Sequence, residues 1–237
     1  MGQRFIFSSA RYDTCRRNKF ACHLSCPAIA SADDLSGVKA MSNRPTQIAL
    51  RNVLVWLLTL FAAQSFAAEH YTIDATHTWP SFEINHLGYS TQRGRFNQTR
   101  GKITLDVGAQ AGTIDITLDA DSIDMGFQKW DEHMKSPDFF NVQLHPTIRF
   151  TADELQFEGE RLVGAKGYLT LLGTRRPLQL TIANFRCAPH PLNRRRHCGA
   201  DVTARIQRTQ FGMAKYVPMI GDEVKLVIPV EADLDQE

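Results

Sequence analysis

The residues of this chain best suited to chemistry are its histidines, since an imidazole can bind a metal or transfer a proton near neutral pH. His77, His133 and His145 lie at separate predicted turns, and their spacing matches no metal motif on one strand or helix. We therefore expect no metal site among them. His86 differs, because its place in an alternating pattern directs its imidazole towards the apolar face of a strand. It is either a hydrogen-bonded core residue or a donor to a ligand oxygen, and both interpretations remain open.

The sequence shows no motif of hydrolytic catalysis. Serine, histidine and aspartate residues are present, but none forms a G-x-S-x-G nucleophile elbow or a metal motif. Residues 68–237 carry 19 Lys+Arg and 22 Asp+Glu, a net charge of −3. A nucleic-acid-binding surface needs an excess of basic residues. We therefore expect no nucleic-acid partner, and binding is favoured over catalysis.

An apolar run near residue 60 predicts that the protein is exported. Val53–Ala63 is apolar except for one threonine, two arginines precede it, and the small-x-small sequence Ser65–Ala67 follows. These are the three parts of a secretory signal peptide, and the run is about half as long as a membrane-spanning helix requires. A buried core segment is the alternative. We predict a cleaved signal peptide over residues 41–67 and a periplasmic protein.

The segment before Met41 fits this arrangement poorly. A signal peptide normally lies at the N-terminus, and Met41 would start one of ordinary length. We predict that Met41 is the initiator and that residues 1–40 are an upstream extension, absent from the working protein. The three cysteines of this extension lack a second Cys-x-x-Cys-type pair and make a weak metal site. Residues 68–237 then form the mature domain.

Cys187 and Cys198 are the two cysteines of this mature domain. An even cysteine count in an exported chain favours a disulfide, and strand-like sequence flanks the pair at Leu178–Phe185 and Gly199–Gln207. The bridge would close a loop of about ten residues and contribute roughly 2–3 kcal/mol to stability. A redox-active pair is the alternative, although such pairs usually have Cys-x-x-Cys spacing. We predict a structural disulfide.

Apolar residues occupy every second position over most of the mature domain, which predicts antiparallel strands with one buried face. Gly112–Asp121 shows the pattern, with Ile114, Ile116 and Leu118 on one face. We count about eight or nine such strands and no long helix to cover a sheet. An all-β chain of this kind closes as a sandwich or a barrel. A barrel of about eight strands is either filled by its side chains or holds one small ligand.

One segment, Lys129–Phe150, interrupts the alternation with charged residues and with Pro137 and Pro146. Phe139 and Phe140 lie in its middle. A polar interruption that carries two large aromatic residues predicts a cap folded over one end of the β-structure. We expect Phe139 and Phe140 to form a lid that either contacts a ligand or only plugs the core.

The sequence resembles the YceI-like family along essentially the whole mature domain. The similarity begins in YTIDATHTWPSFEINHLGYSTQRGRFNQTRGKITLD (residues 71–106) and continues through HMKSPDFFNVQLHPTIRF (133–150) and GYLTLLGTRRPLQLTI (167–182). It ends in RTQFGMAKYVPMIGDEVKLVIPVEA (208–232). The four matching stretches occur in the same order as in the family.

The resemblance implies an all-β fold, an extended antiparallel eight-stranded lipocalin-like β-barrel with a short helical cap and an apolar tunnel. It implies periplasmic binding, storage or transport of a long-chain isoprenoid lipid, such as an isoprenoid quinone or a polyprenyl phosphate, without catalysis or a cofactor. The implied partners are this lipid and, transiently, the inner membrane surface, for a monomer or a homodimer. An enzyme acting on such a lipid, and a filled barrel serving as a protein-interaction module, remain alternatives.

If the barrel contains a tunnel, the alternation predicts the side chains that line it. Several of them have the alternative of packing against one another without touching a ligand. The predicted tunnel wall and lid consist of Phe82, Ile84, His86, Phe96, Ile103, Leu105, Ile114, Ile116, Leu118, Phe139, Phe140, Phe150, Leu169, Leu171, Leu180, Val202, Ile206 and Phe211.

Overall fold

The computed structural model of the chain describes residues 67–236. The predicted upstream extension and the predicted signal peptide, apart from its last residue, lie outside the described residues. The initiator, the signal peptide and its cleavage therefore stay predictions. No helix within residues 67–236 is both long enough and apolar enough to cross a membrane.

Antiparallel strands dominate the part of the chain that the structure describes, with one α-helix and two 3₁₀ turns between them. The strands are β1 (Glu69–Ile73), β2 (Ser81–His86), β3 (Ser90–Phe96), β4 (Thr99–Asp106), β5 (Ala111–Asp119), β6 (Ile123–Asp124), β7 (Thr147–Glu158), β8 (Arg161–Leu171), β9 (Thr174–Pro189), β10 (Arg196–Gln207) and β11 (Ile220–Leu234). The helix α1 is Gln128–Lys135, and the 3₁₀ turns are Ala120–Ser122 and Arg208–Phe211.

Eight of these strands close into a barrel. Hydrogen-bonded neighbours follow the order β1-β4-β5-β7-β8-β9-β10-β11, and β11 pairs again with β1. Tyr71 in β1 shows the closure directly, because it lies opposite Leu234 of β11 on one side and Ile103 of β4 on the other. All the pairings are antiparallel. The predicted eight-stranded antiparallel barrel is confirmed.

β11 is long enough to pair with two strands on the same side. Its last residues pair with β1, as Ala232 does with Ile73, and its first residues pair with β2, as Leu226 does with Phe82. β3 pairs with β2, and the two-residue β6 pairs with β3. The barrel therefore has a ring end, where eight strands close completely, and a cap end, where β2, β3 and β6 extend the wall and α1 follows β6.

The segment predicted as a cap consists of a short helix followed by turns, so the predicted helical cap is confirmed. The N–H of Phe140 donates to the carbonyl of Met134 (2.9 Å), and the N–H of Val142 donates to that of Lys135 (3.2 Å). The chain thus folds back on the end of α1. Pro137 lies just after the helix, where a missing N–H would break a continuing helix.

Each strand directs one face into the barrel, as the alternation predicts. In β5, Ile114 is buried while Asp115 is exposed. Both carboxylate oxygens of Asp115 accept hydrogen bonds from Arg149 of β7, at 2.8 and 2.5 Å. Such exposed pairs contribute little to stability. The apolar interior, rather than the outer ion pairs, therefore stabilises the barrel.

The predicted disulfide between Cys187 and Cys198 is confirmed, with the two Cα atoms 4.1 Å apart. The expected strand limits were wrong, however. β9 continues to Pro189 and β10 begins at Arg196, so the cysteines are direct cross-strand partners within the ladder. The alternation did not reveal these extra residues, because the stretch between the cysteines is mostly polar. The bridge therefore links two paired strands at the ring end and leaves only residues 190–195 as the turn.

Candidate functional site: an apolar tunnel

The barrel contains an elongated apolar cavity of about 420 Å³. It extends from Tyr71 and Cys198 near the ring end to Trp130 and Tyr216 at the cap end. Inward-facing side chains of β1–β5 and β7–β11 form its wall, which is mostly aliphatic and aromatic. Small-molecule sites in proteins usually occupy about 300–1,000 Å³. The barrel is therefore not filled by its own side chains, which argues against the filled-barrel alternative.

The structure places all but one of the predicted wall and lid residues on this cavity. Their contact with a ligand remains a prediction. The residues that line the cavity as expected are Phe82, Ile84, His86, Phe96, Ile103, Leu105, Ile114, Ile116, Leu118, Phe139, Phe140, Phe150, Leu169, Leu171, Leu180, Val202 and Ile206.

Phe211 was wrongly placed on the tunnel wall. It is buried, but it lies in the 3₁₀ turn that follows β10 rather than in a strand. The alternation of β10 reaches Arg208, the first residue of this turn, but does not continue to Phe211. Phe211 instead borders a second, smaller pocket of about 230 Å³, together with Pro177, Leu178 and Ile206.

The cavity reaches the surface at the cap end. Among its lining residues, Trp130, His133 and Tyr216 are exposed, whereas Tyr71 and Cys198 near the ring end are buried. The rings of His133 and Tyr216 lie 6.4 Å apart across the opening. These three side chains define the mouth of the tunnel. A ligand would enter between α1 and the loop that follows β10.

Phe139 and Phe140 take different positions within the cap. Phe140 packs edge-to-face against Phe96 of β3, with ring centres 5.4 Å apart, and lies 6.4 Å from Phe82 of β2. Phe139 lies closer to the mouth, 4.7 Å from the ring of His133. Both are buried and both line the cavity. The cap thus places the ring of Phe140 within the wall and the ring of Phe139 beneath the opening.

A glycine sets the width of the tunnel near the cap. Gly94 of β3 is the direct cross-strand partner of Phe82 of β2, so both residues point to the same side of the sheet. A Cβ atom at this position would collide with the ring of Phe82 and with the sulfur of Met125. The missing side chain therefore leaves room for both residues without narrowing the cavity.

His86 lines the cavity at the end of β2. Its imidazole lies 6.5 Å from the ring of Trp130 at an interplanar angle of 26°. Within residues 67–236, neither of its ring nitrogens hydrogen-bonds to another side chain or to the backbone. The core interpretation required such a bond. The imidazole is therefore free to interact with a ligand at the mouth.

Arg208 is a cavity-lining cation that the sequence analysis missed. Its side chain is only 2% exposed, and it donates hydrogen bonds to four carbonyls at 2.8–3.1 Å. The acceptors are Gly221, Met213, Lys215 and Ile220. Burial lowers the pKa of Arg208, and the nearby Asp222 carboxylate acts to raise it. The guanidinium holds the loop that carries the mouth residue Tyr216.

The alternation does contain a signal for Arg208. Val202, Ala204 and Ile206 alternate along β10, and Arg208 continues their parity. A guanidinium has five N–H groups, and the described acceptors satisfy four of them. One N–H on Nη1 therefore has no acceptor among the described residues. Within residues 67–236, Arg208 is the one Lys, Arg, Asp or Glu that lines the cavity, and it is deeply buried.

Tyr71 closes the opposite end of the cavity. It is 1% exposed, its hydroxyl donates to Glu69 (2.6 Å), and it accepts from Nε of Arg196 (2.9 Å). Burial raises the pKa of Tyr71, and the hydrogen bond to Glu69 raises it further. The hydroxyl therefore stays neutral, and its partners lie on the outer side of the wall. At this end of the cavity the hydroxyls of Tyr71 and Thr78 are both hydrogen-bonded.

Comparison with known proteins identifies the family. The YceI-like domain matches residues 71–232, which is well over half of the chain. Protein YceI of Salmonella arizonae is 31% identical over 186 residues, which cover 76% of this chain and 96% of that protein.

Solved structures share the fold at lower sequence identity. BcnA of Burkholderia cenocepacia has a TM-score of 0.58 and 18% identity, over 67% of this chain and 98% of that one. A polyisoprenoid binding domain from Saccharophagus degradans, implicated in plant cell wall breakdown, has a TM-score of 0.52 and 15% identity. The match covers 70% of this chain and 98% of that domain. With a matching domain, a similar relative and a shared barrel, the chain belongs to the YceI-like family.

Proposed function

We propose that the protein binds a long-chain isoprenoid lipid in the tunnel and stores or carries it in the periplasm. The observation that carries this proposal is the elongated apolar cavity of about 420 Å³ with a single exposed group of residues at its mouth. The similar fold of a polyisoprenoid binding domain supports the choice of ligand class. The Cys187–Cys198 disulfide fits an exported protein.

The isoprenoid chain would lie along the apolar wall and gain free energy by leaving water. Burying one five-carbon isoprene unit is worth roughly 4 kcal/mol at about 0.8 kcal/mol per carbon group. Loss of chain freedom and of rigid-body motion offsets most of this gain. Chain length and tunnel width should therefore decide which lipids bind, and polar groups at the mouth should decide which head group is preferred.

Two polar side chains near the mouth are suited to a head group. Among the described residues, the imidazole of His86 has no hydrogen-bond partner and Arg208 keeps one N–H without an acceptor. Either can donate to a quinone carbonyl or to a phosphate oxygen. An isoprenoid quinone and a polyprenyl phosphate both meet this requirement. The head group would then lie at the cap end, with the chain directed towards the ring end.

A substitution at His86 tests the placement of the head group. His86→Phe keeps a flat ring but removes the donor, so it should weaken the binding of an isoprenoid quinone by about tenfold, the value of one good hydrogen bond. Squalene serves as the matched ligand control, because it has an isoprenoid chain without a head group, and its affinity should stay unchanged. Equal losses for both ligands would place the head group elsewhere.

The mouth is also suited to contact with a membrane, from which such a lipid must come. Tyr89 and Leu87, in the turn between β2 and β3, are exposed beside Met219, whose carbonyl accepts the N–H of Leu87 (3.0 Å). Trp130 and Tyr216 surround the opening itself. Tyrosine and tryptophan favour the membrane–water interface. The exposed apolar rim is thus continuous with the tunnel, and we assign it to docking on the inner membrane surface.

Matched substitutions at the two ends test the docking surface. Tyr89 is 90% exposed at the cap end, and Leu192 is 88% exposed in the turn at the ring end. Tyr89→Ser should reduce co-sedimentation with phospholipid vesicles, whereas Leu192→Ser should leave it unchanged. Equal effects of the two substitutions would contradict docking through the mouth.

The tunnel favours binding over catalysis on a lipid. Ser81 is the serine that lines the cavity, and its hydroxyl donates to the carbonyl of Trp79 (3.1 Å) rather than to an imidazole. The arrangement of a nucleophile activated by a base is therefore not found on the described wall. The enzyme alternative has no structural observation in its favour.

Mass spectrometry of protein isolated from a bacterial periplasm tests the proposed function. Native spectra should show one bound lipid per chain, and spectra after organic extraction should identify its head group and chain length. The proposal would be contradicted if the isolated protein carried no lipid and also did not bind added quinones or polyprenyl phosphates.

A further inference from the structure

A cluster of ligand-type side chains lies on the outer face of the barrel, where the turn after β1 meets β11. Asp74, His77 and Glu231 each offer one ligand atom, and these three atoms lie within 4.8 Å of one another. His197 and Asp233 adjoin the cluster. Asp74 and His77 are more than 150 positions away from Glu231, so spacing along the sequence could not reveal the site.

Distances within the cluster are close to those between the ligands of a single metal ion. Nδ1 of His77 lies 2.7 Å from Oδ2 of Asp74 and 3.9 Å from Oε2 of Glu231. Nε2 of His197 lies 2.9 Å from the same oxygen of Glu231. Ligands that each bind a zinc ion at about 2.1 Å lie about 3–4 Å apart. The 2.7 and 2.9 Å contacts are hydrogen bonds of the imidazoles, so a bound ion would replace these protons, spread the two pairs slightly and draw His197 towards Asp74 and His77.

The candidate ligands are oriented by further hydrogen bonds, as ligands of metal sites usually are. Oδ1 of Asp74 accepts from the backbone N–H of Thr76 (2.8 Å) and from its hydroxyl (2.6 Å). Nδ1 of His197 lies 3.0 Å from a carboxylate oxygen of Asp233, which directs Nε2 towards Glu231. A carboxylate behind an imidazole fixes the ring and increases its strength as a ligand.

The backbone around the cluster is held in place before any ion binds. The N–H of Asp74 donates to the carbonyl of Glu231 (2.9 Å). The buried hydroxyl of Thr78 donates to the same carbonyl (3.1 Å) and accepts from the N–H of Glu231 (3.0 Å). The turn after β1 is thus attached to β11 at three points. His77 remains accessible, with 60% of its side chain exposed, so an ion can enter from solvent.

We propose that Asp74, His77, Glu231 and His197 bind one divalent transition-metal ion of the zinc type. Two imidazole nitrogens and two carboxylate oxygens suit zinc and the neighbouring borderline metals rather than calcium or magnesium. Four protein ligands leave no open position, so the ion is structural. It fixes the turn after β1 to β11 at the closure of the barrel, and it does not depend on the proposed lipid function.

Calorimetric titration of the purified protein with ZnCl₂ tests this site. One ion should bind per chain. His77→Gln and Glu231→Gln should each lower the affinity by at least about tenfold, an effect that even the loss of an outer hydrogen-bond partner produces. Asp233→Asn should lower it by about tenfold for the same reason. His145→Gln and Glu154→Gln, which remove an imidazole and a carboxylate outside the cluster, should leave the affinity unchanged.

The absorption spectrum of bound Co²⁺ provides a second measurement that does not depend on heats of binding. The wild-type protein should give the intense visible bands of four-coordinate cobalt, and His77→Gln should abolish them while its far-ultraviolet circular dichroism stays that of a β-barrel. Absence of Zn²⁺ binding by the wild-type protein would overturn the proposal. Binding that survives both His77→Gln and Glu231→Gln would overturn it as well.

Discussion

The ring end and the cap end of the barrel are closed by different kinds of contact. At the ring end, backbone ladders join β11 to β1 and β1 to β4, and the Cys187–Cys198 disulfide links β9 to β10. At the cap end the added ladder stops at β6, and closure depends on the rings of Phe139 and Phe140 and on the guanidinium of Arg208. The ring end thus has a complete strand ladder around it and the buried side chain of Tyr71 across it, whereas the cap end is covered by side chains of a helix and loops.

This difference determines where a ligand can pass. Widening the ring end to pass a ligand beyond Tyr71 would break a series of backbone hydrogen bonds, each worth about 1 kcal/mol net. Opening the cap end requires only rotation of aromatic side chains and displacement of a two-turn helix. Exchange of a lipid should therefore be confined to the cap end, while the ring end supplies stability. The substitutions below separate these two contributions.

The largest effect is expected for Phe140→Ala at the cap end. Removing a buried phenylalanine costs about 3–5 kcal/mol, and here it also opens the wall beside Phe82 and Phe96. The free energy of unfolding, measured in urea, should fall by that amount, and the protein should lose bound lipid during purification. Phe157→Ala is the control and should keep its lipid, because Phe157 packs against the core opposite Leu162 but does not line the cavity. Full lipid content in Phe140→Ala would show that the cap does not retain the ligand.

Removal of the disulfide should have a smaller effect, and one confined to stability. The Cys187→Ser/Cys198→Ser double variant should lose roughly 2–3 kcal/mol, because the unfolded chain regains the freedom of the closed loop. The cavity wall near Cys198 keeps its backbone ladder, so lipid content should be unchanged. Chemical denaturation and lipid extraction of the same preparation measure the two quantities. Loss of lipid without loss of stability would contradict the assignment of stability to the ring end and of lipid retention to the cap end.

Gly94→Val should narrow the tunnel without touching the mouth. The added side chain must displace Phe82 and Met125 towards the cavity, and overpacking of this kind costs about 1–3 kcal/mol. We expect the longest isoprenoid chains to lose affinity while short ones are retained. Binding assays with quinones of increasing chain length measure this shift. A uniform loss across all lengths would indicate damage to the fold rather than a narrower tunnel.

The smallest effect is expected on the outer face. Arg149→Ala removes a two-point ion pair with Asp115, but both side chains are about half exposed. Solvent screening limits such pairs to less than about 1 kcal/mol. Unfolding free energy should change by no more than that, and lipid binding should be unaffected. A larger change in the free energy of unfolding would mean that ion pairs on the outer surface contribute to the stability of the barrel.

The sequence was sufficient for most of the wall, because period-two alternation is set by the geometry of a strand. Ile114 and Ile116 face the cavity for this reason alone. The same rule failed for Phe211, which lies beyond the end of β10 in a 3₁₀ turn. Arg208 keeps the inward parity of β10, and its burial is possible because four carbonyls accept its hydrogen bonds.

Features that depend on contacts distant in sequence could not be predicted. The mouth joins Trp130 of α1 to Tyr216 of a loop more than 80 residues later, and no local pattern links them. The outer cluster of Asp74, His77 and Glu231 likewise forms only after β1 pairs with β11. Ligands that come from a turn and a distant strand leave no regular spacing along the sequence.

The most direct test of the account is the position of a bound quinone ring, measured by quenching of tryptophan fluorescence. Trp130 at the mouth and Trp79 on the outer surface are equally exposed, at 41%, so they make a matched pair. An isoprenoid quinone should quench the wild-type protein and Trp79→Phe strongly, and Trp130→Phe should lose most of this quenching. Quenching that survives Trp130→Phe but disappears in Trp79→Phe would contradict a tunnel that opens at the cap end.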